Sequence, residues 1–483
     1  MRRDLSSSFK TPEFQDILSK YEKMKQNHTH VYFECNEIIH LAEYYAYQGN
    51  NVTLEEVIDY GLQLHPESIE ILVYKCHNLS AKGKIEDATF LLKSIPDQND
   101  REVRLTYGGL LVEQHNIESA EKIFQQLVTE ECEINILLDI ADIYMDASLD
   151  QQAYVWLKKA YALYPNNLDV LESMADYYYS FKSVEQATVF YNKLLDANPY
   201  HISYWIDLTR CYLQMAEIGK ALEAIEFALA IDDKNLTCIE LKGYCLQLSG
   251  DGASACKCYH EVERSLSNKA RIQQVLLNCY FFYKKYDEAI VYCNTLLENE
   301  ELEAFERASV YHKRAVISLA KGQYEACKND IKSGLACDSE YSDLYIVQGE
   351  LFISEGNMIE AESSFRKAES FAMEKAEAIQ QAATAYMKYE QFHEAANAYK
   401  WMEKEYPEES KQYYAYMAFC YHRNKDEERM FTSLVRSSVY TPNALINPNV
   451  TTRAPEEDKD FFILAKKVLD DIKTGKLDPS SYL

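Results

Sequence analysis

The 483-residue sequence predicts an all-α protein made of repeated helix pairs, and three observations support this prediction. Alanines recur at intervals that are mostly 32 to 34 residues long, starting with Ala88, Ala120 and Ala153 and ending with Ala395. Each interval contains two segments whose apolar residues follow a 3/4 spacing, which is typical of amphipathic helices. The chain also has only 14 glycines and 10 prolines, and it has no alternating apolar runs typical of β-strands.

Residues 168–199 illustrate one repeating unit. A first periodic segment is followed by a short polar turn and then by a second periodic segment, which ends at Pro199, where a helix cannot continue. The apolar residues of the two segments are Leu171, Met174, Ala175, Tyr178, Ala187, Tyr191 and Leu194. Two amphipathic helices joined by a short turn form one antiparallel pair, and such pairs bury their apolar faces by stacking.

This pattern resembles the tetratricopeptide repeat (TPR) family, which prefers a small residue at position 8, an aromatic residue at position 11 and alanine at position 20. Twelve units fit the pattern. They start near Cys35, Ile69, Arg101, Ile134, Leu168, Ile202, Leu236, Ala270, Ala308, Ser342, Ala376 and Lys411. The resemblance covers residues 35 to about 444 and implies an α-α superhelix, the right-handed TPR solenoid, of about twelve helix pairs with terminal capping helices.

Four segments follow from this phase. They are residues 1–34 as an N-terminal helix and cap, 35–307 as TPR units 1–8, 308–444 as units 9–12, and 445–483 as a linker, a C-terminal capping helix and a tail. Units 8 and 9 start 38 residues apart, four more than usual, and the surplus falls between Glu298 and Ser309. Four residues are about one helical turn, so we favour a longer helix; a hinge between two blocks of units is the alternative.

Both ends predict helices outside the repeats. Residues 12–26 form one amphipathic segment, and a second follows a polar loop at 441–454, with Pro455 at its start. The apolar face of the second segment is Phe461, Phe462, Leu464, Ala465 and Leu469. We expect this helix to cover the last repeat, because an uncapped end exposes apolar surface. A docking helix for another protein is the alternative.

Charge and cysteine usage limit the class of protein. The formal net charge of −27 opposes binding to nucleic acid and to anionic membranes, both of which need a basic surface. No stretch is apolar enough to be inserted in a membrane, and the first residues lack the apolar core of a secretory signal. The thirteen cysteines are scattered, and most occupy positions where the repeat has a small apolar residue, which predicts reduced thiols in a cytoplasmic protein.

The sequence predicts no enzyme, no cofactor and no metal site. It contains neither a glycine-rich phosphate loop nor a His-Glu-x-x-His motif. His28 and His30 have no further ligand at metal-binding spacing. Cys256 and Cys258 lie two residues apart on a predicted helix, so they point to different faces and do not suit a disulfide with each other.

The TPR resemblance implies a binding groove, lined by positions 2, 5, 9 and 12 of each first helix. The candidate peptide-binding residues at these positions are Leu138, Asp142, Met145, Glu172, Asp176, Tyr179, Arg210, Tyr244, Arg271, Asn278 and Phe281. The first part is an acidic strip with apolar residues between the acids, so it favours a ligand that carries Lys or Arg. The carboxylate clamp of chaperone-tail adaptors is absent, because Gln274 stands where that clamp has lysine.

The function predicted is therefore that of a non-catalytic scaffold or adaptor, which binds peptide segments or a protein partner in the concave groove. Charged residues that only solvate an open surface are the plain alternative for the groove residues. Two alternatives from other classes are a TPR regulatory protein that acts on phosphorylated signalling proteins, and a structural module that assembles with itself. The sequence leaves the partner and the oligomeric state open.

Overall fold

The computed structural model describes residues 9, 11–444 and 458–483. These residues form helices and connecting turns, and none of them lies in a β-strand. The chain consists of two compact units, Met1–Cys238 and Ile239–Leu483. The helix Leu236–Leu248 crosses the boundary between the units. The predicted all-α architecture of consecutive antiparallel helix pairs is confirmed.

The first unit begins with a single helix, which is followed by the helix pairs of repeats 1–6. In chain order the helices are α1 Pro12–Asn27, α2 Cys35–Tyr47, α3 Asn51–Leu64, α4 Ile69–Ala81, α5 Ile85–Lys93, α6 Arg101–Glu113, α7 Ile117–Glu130, α8 Ile134–Asp146, α9 Asp150–Leu163, α10 Leu168–Tyr177, α11 Val184–Ala197, α12 Ile202–Gln214 and α13 Ile218–Ile231. A π-helical turn, Tyr178–Lys182, joins α10 to α11.

The second unit contains repeats 8–12 together with most of repeat 7. Its helices are α14 Leu236–Leu248, α15 Gly252–Ser265, α16 Ala270–Phe282, α17 Tyr286–Leu297, α18 Ala304–Ala320, α19 Tyr324–Cys337, α20 Ser342–Ser354, α21 Met358–Phe371, α22 Lys375–Lys388, α23 Phe392–Glu405, α24 Pro407–Ser410, α25 Tyr414–Arg423, α26 Glu427–Tyr440 and α27 Lys459–Lys473. Nine predicted unit starts, among them Cys35, Ile134 and Ser342, are the first residue of a helix.

The turn inside each pair has a constant backbone conformation at repeat position 15. Eleven repeats place a residue with positive φ there, and glycine occupies five of these positions, including Gly49 and Gly356. In repeat 1 the amide of Asn50 then donates to the carbonyl of Tyr45, the bond that closes a Schellman turn. The Asn50 side chain also accepts from the Thr53 amide and caps the second helix. In repeat 5 the π-helical turn replaces this arrangement.

The close approach within each pair depends on the small residue at position 8. A Cβ on Gly108 would lie 2.2 Å from the ring of Phe124, and a Cβ on Gly349 would lie 2.3 Å from the ring of Phe365. The small residue therefore makes room for the large residue at position 24 as well as for the alanine at position 20. Cys76 shows the contact with alanine, because its thiol donates to the Ala88 carbonyl over 3.5 Å.

Repeat 9 contains the four-residue surplus as a longer helix, as predicted. Its first helix, α18, has 17 residues where the corresponding α16 has 13, and it starts at Ala304, four residues before the expected Ala308. The second unit divides from the first at residue 238 and not at the unit 8–9 junction. This division into two compact units does not test the predicted segments 1–34, 35–307, 308–444 and 445–483, which stay a prediction.

Single helices pack against the outer repeats of both units. In the first unit α1 buries Phe14, Leu18, Tyr21 and Met24 in one core with repeat 1. In the second unit α27 buries Phe461, whose ring lies 5.5 Å from that of Phe419 in the last repeat. Val468 is buried as well, whereas the predicted Phe462 and Leu464 are only partly buried. Of the predicted loop at 441–454, residues 445–454 lie outside the described residues, as does the predicted helix start at Pro455.

Candidate functional site

The predicted binding face of the first unit lies on α8, α10 and α12, the first helices of repeats 4, 5 and 6. Helical periodicity separates the core side of each helix from this face. On α8 the core side is Leu137, Ala141 and Tyr144, all of which are fully buried. Positions 2, 5, 6, 9 and 12 lie on the remaining surface of each first helix. The sequence predicts the binding groove at positions 2, 5, 9 and 12 of this surface.

The structure places the predicted residues of this face at different depths. Asp142, Met145, Glu172 and Asp176 are partly buried, and Arg210 is exposed. Tyr179 is 37% exposed and belongs to the π-helical turn. Leu138 is only 8% exposed and packs in the core of repeats 3–6. The prediction that it lines the groove is therefore corrected, because its side chain lies beneath the face and contacts the core.

The carboxylates of this face lie close enough together to affect each other's ionisation. The pKa of Asp139 is raised to about 6 by burial and by the negative charges of Glu102 and Asp142. The pKa of Glu172 is raised by burial first, and then by the charge of Asp176 and two further carboxylates. In both carboxyl groups, burial and neighbouring negative charge disfavour the ionised form.

Repeat 6 extends the same cluster. Burial raises the pKa of Asp207, and the charge of Asp176 raises it further, while Arg210 opposes both effects. The Arg210 guanidinium donates to Asp207 over 2.8 Å. We define the acidic face as Asp139, Asp142, Asp169, Glu172, Asp176 and Asp207.

Asp176 and Glu172 of the acidic face also bond to buried tyrosines. The buried Tyr191 hydroxyl donates to Asp176 Oδ1 over 2.9 Å. Burial is the main cause that raises the pKa of Tyr191, and the charges of Asp176 and Asp207 raise it further. The Glu172 carboxylate accepts a hydrogen bond from Tyr204. Asp176 therefore helps to hold the helix pair of repeat 5, and Glu172 helps to join repeat 5 to repeat 6.

Sequence reasoning missed Asp139 and Asp207, which both occupy position 6 of their repeats. The TPR resemblance directed attention to positions 2, 5, 9 and 12 alone. Position 6 is three residues before position 9 and four after position 2, so it shares their side of the helix. Periodicity was thus the signal that would have found both residues.

The remaining predicted residues lie in the second unit. Arg271 makes a two-pronged ion pair with Glu240, with both nitrogen–oxygen distances at 2.5 Å. Tyr244 is 46% exposed, Asn278 is exposed and Phe281 is partly buried. These residues belong to α14 and α16, the first helices of repeats 7 and 8.

Two further properties concern the whole described part of the chain. Among residues 9, 11–444 and 458–483, no helix combines the length and the apolar character needed to cross a bilayer. Within the same residues, no three His, Cys, Asp or Glu side chains come together as a metal site would require.

Paired helices with a small residue at position 8, a left-handed turn residue at position 15 and alanine at position 20 define the class. The fold is a series of helix pairs of the tetratricopeptide repeat type, as the sequence predicted. A family model described as ChAPs (Chs5p-Arf1p-binding proteins) matches residues 106–228, which include repeats 4 and 5 and most of repeats 3 and 6. No curated protein matches the chain.

Several solved structures are similar to this chain at low identity. The yeast Tom70 structure is 14% identical, with 97% of this chain and 95% of that chain covered and a TM-score of 0.44. A tetratricopeptide repeat protein from Parabacteroides merdae is 16% identical over 59% of this chain and 98% of its own, with a TM-score of 0.39. The APC/C hetero-tetramer Cut9-Hcn1 is 12% identical over 95% of both chains, with a TM-score of 0.36.

Proposed function

We propose that this chain is a non-catalytic interaction scaffold whose acidic face binds a basic segment of a partner protein. One observation carries the proposal: burial first, and then the charge of neighbouring carboxylates, raises the pKa of Asp139 on α8 and of Glu172 on α10. A Lys or Arg side chain placed among them relieves this repulsion, because an opposite charge stabilises the ionised carboxylates.

The neighbouring side chains suit a peptide ligand. Met145 and Tyr179 interrupt the carboxylates and offer apolar surface for an anchor residue. The helices that bear these groups are fixed by the buried core, so the receptor loses little conformational entropy on binding. Nothing covalent happens in this mechanism; recognition depends on charge and on fixed positions.

The family match supports a narrower choice of partner. Residues 106–228 contain the entire acidic face, and the matching family is named for binding Chs5p and Arf1p. We therefore propose proteins of these two kinds as the first partners to test. The thirteen cysteines are all free thiols, which supports a reducing compartment such as the cytoplasm.

The test compares two double variants that change the net charge equally. Asp142→Asn with Glu172→Gln removes two charges from the acidic face, and Asp196→Asn with Glu223→Gln removes two exposed charges from the second helices of repeats 5 and 6. Asp176 stays intact because it binds Tyr191. Calorimetry would measure binding of Chs5p, of Arf1p and of a short Lys- and Arg-rich peptide at low and high salt.

We expect the acidic-face variant to weaken binding of the basic peptide by about 1–2 kcal/mol, roughly a 5- to 30-fold rise in Kd. The difference should shrink at high salt, because exposed charges are screened. The second-helix variant should bind like the unchanged protein. Equal binding by both variants and the unchanged protein would show that the acidic face is not the binding surface.

A further inference from the structure

Two cysteines of the second unit face each other across neighbouring repeats. Cys256 lies on α15 and Cys279 on α16, and their Sγ atoms are 3.4 Å apart. Cys256 is 6% exposed and Cys279 is fully buried. Cys258 points elsewhere, because its Cβ lies 3.1 Å from where a Cβ on Gly243 would sit. The structure therefore pairs Cys256 with Cys279, a partner 23 residues away in sequence.

A chain of hydrogen bonds leads from this cysteine pair. The Tyr280 hydroxyl bonds to the Cys256 thiol and also lies 2.8 Å from Nε2 of His260. His260 Nδ1 lies 3.2 Å from Glu263 Oε2. Tyr292 donates its hydroxyl hydrogen to the same carboxylate oxygen over 3.2 Å.

Gln273 completes the far end of this chain, because its amide donates to the other Glu263 oxygen over 3.1 Å. Burial opposes ionisation of Glu263, but the bonds from Gln273, His260 and Tyr292 outweigh it and lower the pKa of the carboxyl group. Glu263 is therefore a carboxylate that accepts the Nδ1 hydrogen of His260.

One set of directions for these hydrogen bonds suits a cysteine pair in which Cys256 is a thiolate. When both ring nitrogens of His260 carry hydrogen, Nδ1–H donates to Glu263 and Nε2–H donates to the Tyr280 oxygen. The Tyr280 hydroxyl hydrogen is then free to donate to the Cys256 sulfur. In this arrangement the Tyr280 hydroxyl supports a Cys256 thiolate, and every donor of the chain of hydrogen bonds has an acceptor.

The two thiols are unequal. The hydrogen bond with Cys279, helped by the bond from Tyr280 and the charge of Lys285, lowers the pKa of Cys256 to about 7 against the effect of burial. The same contact, together with burial, raises the pKa of Cys279. Cys256 is therefore the nucleophile of the pair, since the thiolate is the reactive form, and Cys279 keeps its proton.

We propose that Cys256 and Cys279 form a reversible disulfide when the protein meets hydrogen peroxide, with Tyr280 and His260 as positioning residues. The Cys256 thiolate attacks one peroxide oxygen, the O–O bond breaks, and the departing hydroxide takes up a proton to become water. The sulfur of Cys279 then attacks the resulting sulfenic acid, loses its own proton and displaces a second water. Two thiols are oxidised to one disulfide while one peroxide is reduced to two waters.

The movement needed for the second step is small. A disulfide bond is about 2.05 Å long, so the two sulfurs, now 3.4 Å apart, must approach by roughly 1.4 Å. The bond would join the second helix of repeat 7 to the first helix of repeat 8. This inference concerns covalent chemistry of the second unit and is independent of the acidic face.

The experiment treats the full chain with hydrogen peroxide, blocks the remaining thiols and maps the peptides without reduction. We expect a cross-link between the Cys256 and Cys279 peptides, two hydrogens lighter than their sum, which disappears on reduction. Cys279→Ser should replace the cross-link with a sulfenic acid at Cys256 that dimedone traps. Cys258→Ser is the matched control and should leave the cross-link unchanged. Peroxide treatment that oxidises the exposed Cys132 without joining Cys256 to Cys279 would overturn the proposal.

The positioning residues have a test of their own. Tyr280→Phe keeps the ring and removes the hydroxyl, so it should shift the pH profile of Cys256 oxidation upward by about one pH unit. Circular dichroism would establish that the variant keeps its helices. An unchanged pH profile in the folded variant would refute the role of Tyr280 and His260.

Discussion

Asp139 shows how a single residue reports on the surface around it. The residue is exposed, yet its pKa is raised to about 6. The larger cause is the surrounding protein, which partly desolvates the carboxylate, and the negative charges of Glu102 and Asp142 add to it. An acid whose folded-state pKa lies above its unfolded value of about 3.9 is penalised when ionised. The penalty is fully present above pH 6 and falls as pH decreases toward 4.

We predict that Asp139→Asn stabilises the protein at pH 8 and does so less at pH 5.5. The gain at pH 8 should stay below about 1 kcal/mol, because solvent screens the charge of an exposed group. Thermal unfolding of the variant and of the unchanged protein at both pH values measures the difference. Asp196→Asn, on the exposed side of α11, serves as the control and should show no such pH dependence. A gain that is the same at both pH values would contradict the electrostatic explanation.

At the scale of the element, two adjacent glycines of α6 distinguish the effect of side-chain packing from the effect of helix propensity. A Cβ on Gly108 would meet the ring of Phe124 at 2.2 Å, whereas a Cβ on Gly109 would meet only Ile143, at 3.8 Å. Neither glycine has a positive φ, so alanine suits the backbone at both positions. The two positions differ only in what the added methyl group touches.

We predict that Gly108→Ala costs about 1–3 kcal/mol of unfolding free energy, because it forces apart the two helices of repeat 3. Gly109→Ala should instead stabilise the protein by about 0.5–1 kcal/mol through the better helix propensity of alanine. Denaturant unfolding followed by circular dichroism measures both changes. If both substitutions had the same sign, the close contact between α6 and Phe124 would not be the cause.

At the scale of the whole molecule, the ends of the repeat series need covering as much as the repeats need each other. Helix α27 provides this cover in the second unit, where Phe461 contacts Phe419 and Asp458 receives a hydrogen bond from Arg423 over 3.1 Å. Because this apolar face is occupied, the structure favours a cap over the alternative prediction of a docking helix for another protein.

We predict that Phe461→Ala destabilises the last repeats by about 3–5 kcal/mol, the usual cost of removing a buried aromatic ring. Ile463→Ala on the same helix should cost little, because Ile463 is 66% exposed. Hydrogen exchange should locate the loss of protection in α25 and α26. Uniform loss across repeats 1–6 as well would contradict the local role of the cap.

The sequence predicted the helices well because their positions obey a spacing that every repeat shares. Alanine at position 20 and a small residue such as Gly108 fixed the phase, and nine predicted unit starts coincide with helix starts. The contacts between repeats were not predictable in this way. The bond from Tyr191 to Asp176 and the approach of Cys256 to Cys279 depend on side-chain conformations and on how neighbouring pairs stack, which one chain's pattern does not encode.

The extra turn of α18 has a consequence for how proteins of this kind change in length. Four added residues rotate a helix by about 400°, so every side chain beyond the insertion returns within about 40° of its former direction. One or two added residues would instead turn the buried stripe outward. Helix beginnings such as Ala304 are therefore places where evolution, or an engineer, can insert sequence in steps of three or four residues without disturbing the packing of the neighbours.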